Sequence, residues 1–178
     1  MVGWPDEDPQ LRLDHERFAY AGKFVMTNTG KAVAREDGAV VAAVAFNEDR
    51  TDPATAWLRY VTVAADRRGK GIGPRLVRFA VERFEARGYD RVRIAVNNPF
   101  AYQALYRAGF GYTGEETGIA ELVLEWPGDR SPARYRAGLD AFREREGLSA
   151  AERSFLADHR GTDPPAVVDS PAVAESSR

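Results

Sequence analysis

Residues 66–76 read DRRGKGIGPRL: three glycines, four basic side chains and one proline in eleven residues. The apolar stretch WLRYVTV, 57–63, lies just before them, and RLVRFAVERFEARG, 75–88, follows. Ile72, Leu76, Phe79, Ala80 and Phe84 recur at helical spacing and predict one apolar helix face. Gly88 supplies its stop. The apolar run over 56–64 predicts a buried strand, and RVRIAVN, 91–97, a second one. A strand–helix–strand unit of this length implies a right-handed crossover and one parallel strand pair.

The flanks predict antiparallel pairing. KAVARE and AVVAAVAF surround Asp37-Gly38, a dipeptide suited to a tight hairpin turn. GYTGEETGIAELVLEW, 111–126, reads as two strands around a glycine-rich loop. Asn98-Pro99 reads as an N-cap and first helical position, for a helix running toward Gly109. The expected fold class is therefore α/β: a mixed, mostly antiparallel sheet with one parallel pair, flanked by helices. Ser131-Pro132 opens a helix with Tyr135, Leu139 and Phe142 on one face, and SAAE, 149–152, has the form of a capping box. We expect three regions: a main domain over 1–130 with 1–10 flexible, a C-terminal helical pair over 131–161, and a disordered tail over 162–178. LRLDHERF, 11–18, fits a strand or a short helix equally well.

The 178 residues include no cysteine and two histidines, which excludes a disulfide, a thiol nucleophile and a cysteine zinc site. No metal is expected. The N-terminal ten residues are acidic and lack the apolar core of a signal peptide, and no apolar run has the length of a membrane span. The expectation is a cytoplasmic protein that engages neither membrane nor nucleic acid. Formal net charge is −2, yet the window 67–93 holds nine basic and three acidic residues. A basic patch of that size in an acidic chain suits a small anion better than a long polyanion. Arg78, Glu82, Glu85 and Arg87 read as a solvated helix face.

A helix N-terminus exposes unpaired N–H groups and partial positive charge, and glycine lets the backbone approach an anion closely. The alternative is a tight turn needing glycine for its conformation alone. Three glycines interleaved with Arg68, Lys70 and Arg75 favour a phosphate cradle. The P-loop does not fit, because Lys70 is followed by Gly71 where that motif has Ser or Thr. The dinucleotide fingerprint does not fit either, because G-K-G-I-G-P misses its third glycine.

Arg68-Gly69-Lys70-Gly71-Ile72-Gly73 resembles R/Q-x-x-G-x-G/A, the acyl-CoA pyrophosphate loop of the GNAT N-acetyltransferases. The order of strand, loop, helix, strand, helix and closing Gly-Phe resembles that family over about 38–126; family members usually carry proline where Ala65 stands. The resemblance implies that the parallel pair splays around acetyl-CoA as co-substrate. It implies that Val61 and Val63 pair with the pantetheine arm, that a Val63 N–H polarises the thioester carbonyl, and that Arg68, Gly69, Lys70, Gly71, Ile72, Gly73 and Asn98 bind the cofactor. It implies direct acetyl transfer to a primary amine of a small molecule or protein. In the family a tyrosine in N-x-x-A-x-x-L-Y-x-x-x-G-F protonates the departing thiolate. Aligned on Asn98, Ala101, Gly109 and Phe110, this chain has Leu105 at that place, with Tyr106 one residue late. Tyr106 is the expected general acid, Tyr102 the other candidate, and packing against the sheet the bland reading of both.

For the base, Glu48, Asp49, Glu115, Glu116, His15 or a water chain are open. The acceptor groove is either open or covered by the appended helices at 132–160, the second being a hypothesis. The competing function is a non-catalytic acyl-CoA-binding or partner-binding domain. The acceptor is unnamed by the sequence, and edge strands together with the C-terminal helices could support a homodimer.

Overall fold

The computed structural model describes residues 1–7 and 9–171. Among the described residues seven strands form one sheet: β1 (Val2–Gly3), β2 (Gly30–Glu36), β3 (Ala39–Glu48), β4 (Thr55–Val63), β5 (Arg91–Val96), β6 (Gly111–Glu116) and β7 (Leu122–Trp126). Their order is β1-β2-β3-β4-β5-β7-β6, and only β4 and β5 run parallel. The mixed, mostly antiparallel architecture is the one expected. Asp37 (φ 48°) and Gly38 (φ 82°) both take the left-handed conformation that a two-residue hairpin between β2 and β3 requires.

β4 and β5 pair only from Thr55–Arg91 to Leu58–Ile94. Beyond that point they part, while β4 stays paired with β3 as far as Val63–Ala42. The register of β3 on β4 shifts between Ala45 and Phe46, opposite Tyr60 and Leu58, so Arg59 sits at a bulge. The splay and the bulge fall together.

One sheet face is covered by α1 (Ile72–Ala86) and α2 (Pro99–Arg107). Leu76, Val77, Ala80, Val81 and Phe84 of α1 are buried against β2, β3 and β4. The Phe84 ring lies edge-on to Phe46 at 4.6 Å. Burying one such ring contributes about 1.5–3 kcal/mol. Part of the other face is covered by residues 11–25, which form turns and a short 3₁₀ helix, Ala21–Val25, with Phe18 and Phe24 buried. The segment 11–18, open between strand and helix in sequence, is neither. Among the described residues no helix is long and apolar enough to cross a membrane.

α3 (Pro132–Arg143) and α4 (Ala150–Asp158) form as expected, α3 capped by Ser131 and α4 by the Ser149–Glu152 capping box. Tyr135, Leu139, Phe142 and Leu156 join the same continuous core as the sheet. α3 lies so close to α2 that a Cβ on Gly138 would stand 2.1 Å from the Tyr102 hydroxyl.

The expectation of disorder from 162 is corrected for 162–171. This stretch has no helix or strand, but it is held to the body of the protein. Val168 donates its N–H to the Arg107 carbonyl (2.8 Å), Arg130 donates to the Pro165 carbonyl (2.8 Å), and Arg136 pairs with Asp163 (2.7 Å). Low apolar content argues for disorder, yet cations from the folded body satisfy its carbonyls and carboxylate. Residues 172–178 lie outside the described residues.

Candidate active site

The loop after β4 is built from the glycine-rich 66–76 stretch. Ala64 donates its N–H to Val41 and Ala65 its N–H to Arg17, which ties the chain to β3 and to the 11–25 segment. Arg67 is occupied structurally, pairing with Glu36 (2.8 Å) and Asp66 (3.1 Å). Gly69 (φ 77°) and Gly71 (φ 74°) are both left-handed, and Gly71 is the N-cap of α1. Gly71 makes no side-chain cap, so the Ile72 and Gly73 N–H groups at the start of the helix have none from it. A Cβ on Gly71 would find only Arg107 Nη2, at 3.7 Å. Gly73 serves packing instead. A Cβ there would press on Val63 at 3.3 Å, so glycine lets α1 sit close against β4.

These groups line a cleft of about 690 Å³ at the splay of β4 and β5. Of the residues expected to bind cofactor, Val61, Val63, Arg68, Gly69, Gly71, Ile72, Gly73 and Asn98 line it. Lys70 does not; its side chain is exposed between the two left-handed glycines. Arg68 leans back toward the Val63 carbonyl (3.4 Å). Asn98 caps α2, its Oδ1 accepting from the Ala101 N–H at 2.8 Å. Arg107 is a residue that sequence reasoning does not reach. It lies just before the tight Gly-Phe closure and is carried to the glycine loop by α2, adding a cation there.

The expectation for Tyr106 is corrected. Its side chain is fully buried and does not line the cleft; its hydroxyl accepts the Tyr112 N–H at 2.9 Å. Its ring packs on Tyr102 (4.9 Å) and Tyr135 (4.8 Å), beneath the Arg130 guanidinium. One residue is about 100° of helix rotation, so Leu105, not Tyr106, points into the cleft. Tyr102 is buried on the same far side and donates to the Tyr135 carbonyl (2.9 Å). Burial pushes the pKa of both phenols up. Tyr106→Phe is accordingly expected to leave the rate and its pH profile unchanged. It orphans the Tyr112 N–H and costs about 1–3 kcal/mol, read by urea unfolding. A pH profile that loses its upper limb would reinstate Tyr106.

None of the carboxylates or the histidine considered as base lines the cleft. Glu48 accepts from Tyr89, and Glu115 pairs with Arg93 (3.2 Å). Asp49 is tied into the turn before β4, where N–H and hydroxyl donors of Thr51, the Trp57 indole and the Asp52 N–H hold its carboxyl well below the usual range. Glu116 ends β6 and His15 is exposed in a turn. The carboxylate that does line the cleft is Glu121, just before β7. The Val96–Leu122 pairing sets it beside Asn97; only the register between β5 and β7 reveals this.

Of the two alternatives for the groove, the structure does not place the C-terminal helices over the cleft. α3 and α4 pack against β6, α2 and each other, and neither contributes a residue to the cleft. On the side away from α1 and α2 it is Tyr20, from the N-terminal segment, that borders the opening.

The glycine-rich 66–76 stretch opens the helix as its sequence predicts, and the splayed parallel pair is what the family resemblance implies. The family model described as "Acetyltransferase (GNAT) family" matches residues 2–112. The chain belongs to the GNAT acetyltransferase family. No curated protein matches it significantly. Among solved structures, it is similar to an IAA acetyltransferase from Bacillus cereus at 28% identity, over 55% of this chain and 76% of that one (TM-score 0.46). It is similar to a Bacillus subtilis acetyltransferase in complex with CoA at 19% identity, over 55% and 75% (TM-score 0.48). A putative acetyltransferase from Salmonella typhimurium, with acetyl-CoA, is 17% identical over 55% and 63% (TM-score 0.49).

Proposed function

We propose that this GNAT protein is an acetyl-CoA-dependent N-acetyltransferase acting on a primary amine by direct attack. The observation that carries the reading is the uncapped N-terminus of α1, reached through left-handed Gly69 and Gly71, opening into the cleft between β4 and β5. The Ile72 and Gly73 N–H groups, with Arg68 and Arg107 alongside, suit a pyrophosphate. Val61 and Val63 lie on the edge of β4 that β5 leaves unpaired, and they suit an extended pantetheine arm.

Acetyl-CoA supplies an acetyl group activated as a thioester. The amine nitrogen forms the new C–N bond as the C–S bond breaks. Starting from an ammonium, the nitrogen sheds two protons: one ends on the CoA sulfur, the other in solvent. With no cysteine in the chain, no cysteinyl intermediate can intervene.

Leu105 at the tyrosine position favours one second reading, an acyl-CoA-binding domain without catalysis. Thermal-shift titration tests the shared premise. Acetyl-CoA and CoA at 100 times Kd are expected to add about 2.7 kcal/mol of stability, and ATP at the same concentration much less. No shift with either CoA species removes both readings. Turnover of acetyl-CoA with an amine then separates catalysis from binding.

A further inference from the structure

The cleft is lined from both faces of the sheet, and on the face away from α1 and α2 it carries two charges of opposite sign that form no ion pair among the described residues. β5 alternates: Ile94 and Val96 face the helices and join the core, while Ala95 and Asn97 line the cleft from the other face. β4 contributes Arg59 at its bulge, and Tyr60, whose ring packs on Tyr20 (5.6 Å). Glu121 closes the rim beyond β5. Ala95 is the small floor between them.

Both charged groups are oriented by hydrogen bonds to neutral side chains. Arg59 donates Nε–H to Asn47 Oδ1 (2.7 Å) and lies 5.2 Å over the Trp57 ring. Glu121 accepts only from the Thr117 hydroxyl, at 3.3 Å. Among the described residues neither has an ion-pair partner. Their neighbours on the same face do: Arg91 and Arg93 with Glu125, and Arg93 with Glu115. Arg59 and Glu121 thus stand at the cleft without an ion pair among the described residues, with Asp49 in the turn before β4 near Arg59 and Arg145 donating to the Asn97 and Ala120 carbonyls beside Glu121. Arg59 and Glu121 stand on β4 and just before β7, on opposite sides of β5, at the level where β4 and β5 have parted.

Building on the transferase reading, we propose that the acceptor is a zwitterionic amino acid. Glu121 holds its ammonium near the thioester end, Arg59 holds its carboxylate, and the Tyr20–Tyr60 pair lies against its side chain. An amine lacking the carboxylate leaves Arg59 without its anion and is the poorer substrate.

The test uses the full chain with acetyl-CoA and matched acceptors: phenylalanine against phenethylamine, tyrosine against tyramine, leucine against isoamylamine. CoA release gives kcat and KM, and acetyl-CoA binding is measured separately by thermal shift. Wild type is expected to favour each amino acid over its decarboxylated partner by about thirtyfold or more in kcat/KM, the size of a charged hydrogen bond. Arg59→Met is expected to abolish that preference through KM, Arg59→Lys to keep part of it, and Glu121→Gln to weaken amino acids and amines alike. All three variants should bind acetyl-CoA as wild type does. Equal or better use of the decarboxylated amines overturns the proposal. So does a protein that binds acetyl-CoA but acetylates no amino acid, whether it then accepts peptides or nothing. Failure to bind acetyl-CoA instead overturns the transferase reading beneath it.

Discussion

Gly138→Ala lowers the stability of the whole protein by about 3 kcal/mol, or roughly 10 °C in Tm for a chain of this size. The added methyl would meet Tyr102 Oη at 2.1 Å, Cζ at 2.4 Å and Cε2 at 2.6 Å. That ring has nowhere to withdraw. Tyr106, Tyr112, Tyr135 and Phe142 surround it at 4.9–6.2 Å, and its hydroxyl is committed to the Tyr135 carbonyl. Alanine's better helix propensity, worth about 1 kcal/mol over glycine, offsets only part of the clash. Because α3 shares the main core, the loss is global rather than confined to the C-terminal helices. Gly22→Ala, with open space around its Cβ and no left-handed backbone, is the matched control and melts within about 2 °C of wild type. Adding Tyr102→Leu to Gly138→Ala makes room and recovers part of the loss. Equal melting of Gly138→Ala and wild type would mean that α3 does not sit on Tyr102.

Gly71→Glu raises the Kd for acetyl-CoA at least a hundredfold while the free protein melts within a few degrees of wild type. Two effects combine. A side chain at φ 74° carries left-handed strain of about 1–2 kcal/mol, which loosens the cap geometry. The carboxylate also takes the place of the incoming anion, with Arg107 Nη2 only 3.7 Å from its Cβ and the first N–H groups of α1 beside it. Gly71→Ala separates the two, since it keeps the strain without the charge and is expected to cost about tenfold. Isothermal titration with acetyl-CoA measures both. Wild-type affinity in Gly71→Glu would show that the pyrophosphate lies elsewhere and that the glycines serve only the turn.

The glycine loop is written locally, which is why its geometry is readable from sequence. Gly69, Gly71 and Ile72 fall within four residues, and their conformation depends on the backbone of a short stretch between a strand and a helix. The Asp37-Gly38 turn and the Ser149–Glu152 cap are local in the same way. Tyr106 shows the limit. The family spacing sets Leu105 in the tyrosine frame, and the structure follows the frame, because helix rotation alone decides which side chain meets the cleft. Nothing local marks Arg107, Arg59 or Glu121. Each joins the site through a long-range fact: the packing of α2 on the glycine loop, the bulge in β4, and the register of β7 on β5. The order of 162–171 is hidden for a related reason. It comes from Arg130 and Arg136, more than twenty residues away in sequence, and composition carries no record of such partners.

The short pairing of β4 with β5 has a mechanical meaning. The sheet is two half-sheets, β1 to β4 and β5 to β7, zipped together over four residue pairs and bridged by α1 and α2. Above the zip both strands present bare inner edges. Sheets ordinarily hide such edges, because they will accept any extended chain. The fold therefore places its weakest seam where two reactants must meet, and an occupant with an extended arm would act there as the missing stitch. Slow amide exchange should then belong to β3 and its neighbours, with the first breathing of the native state along the β4–β5 line.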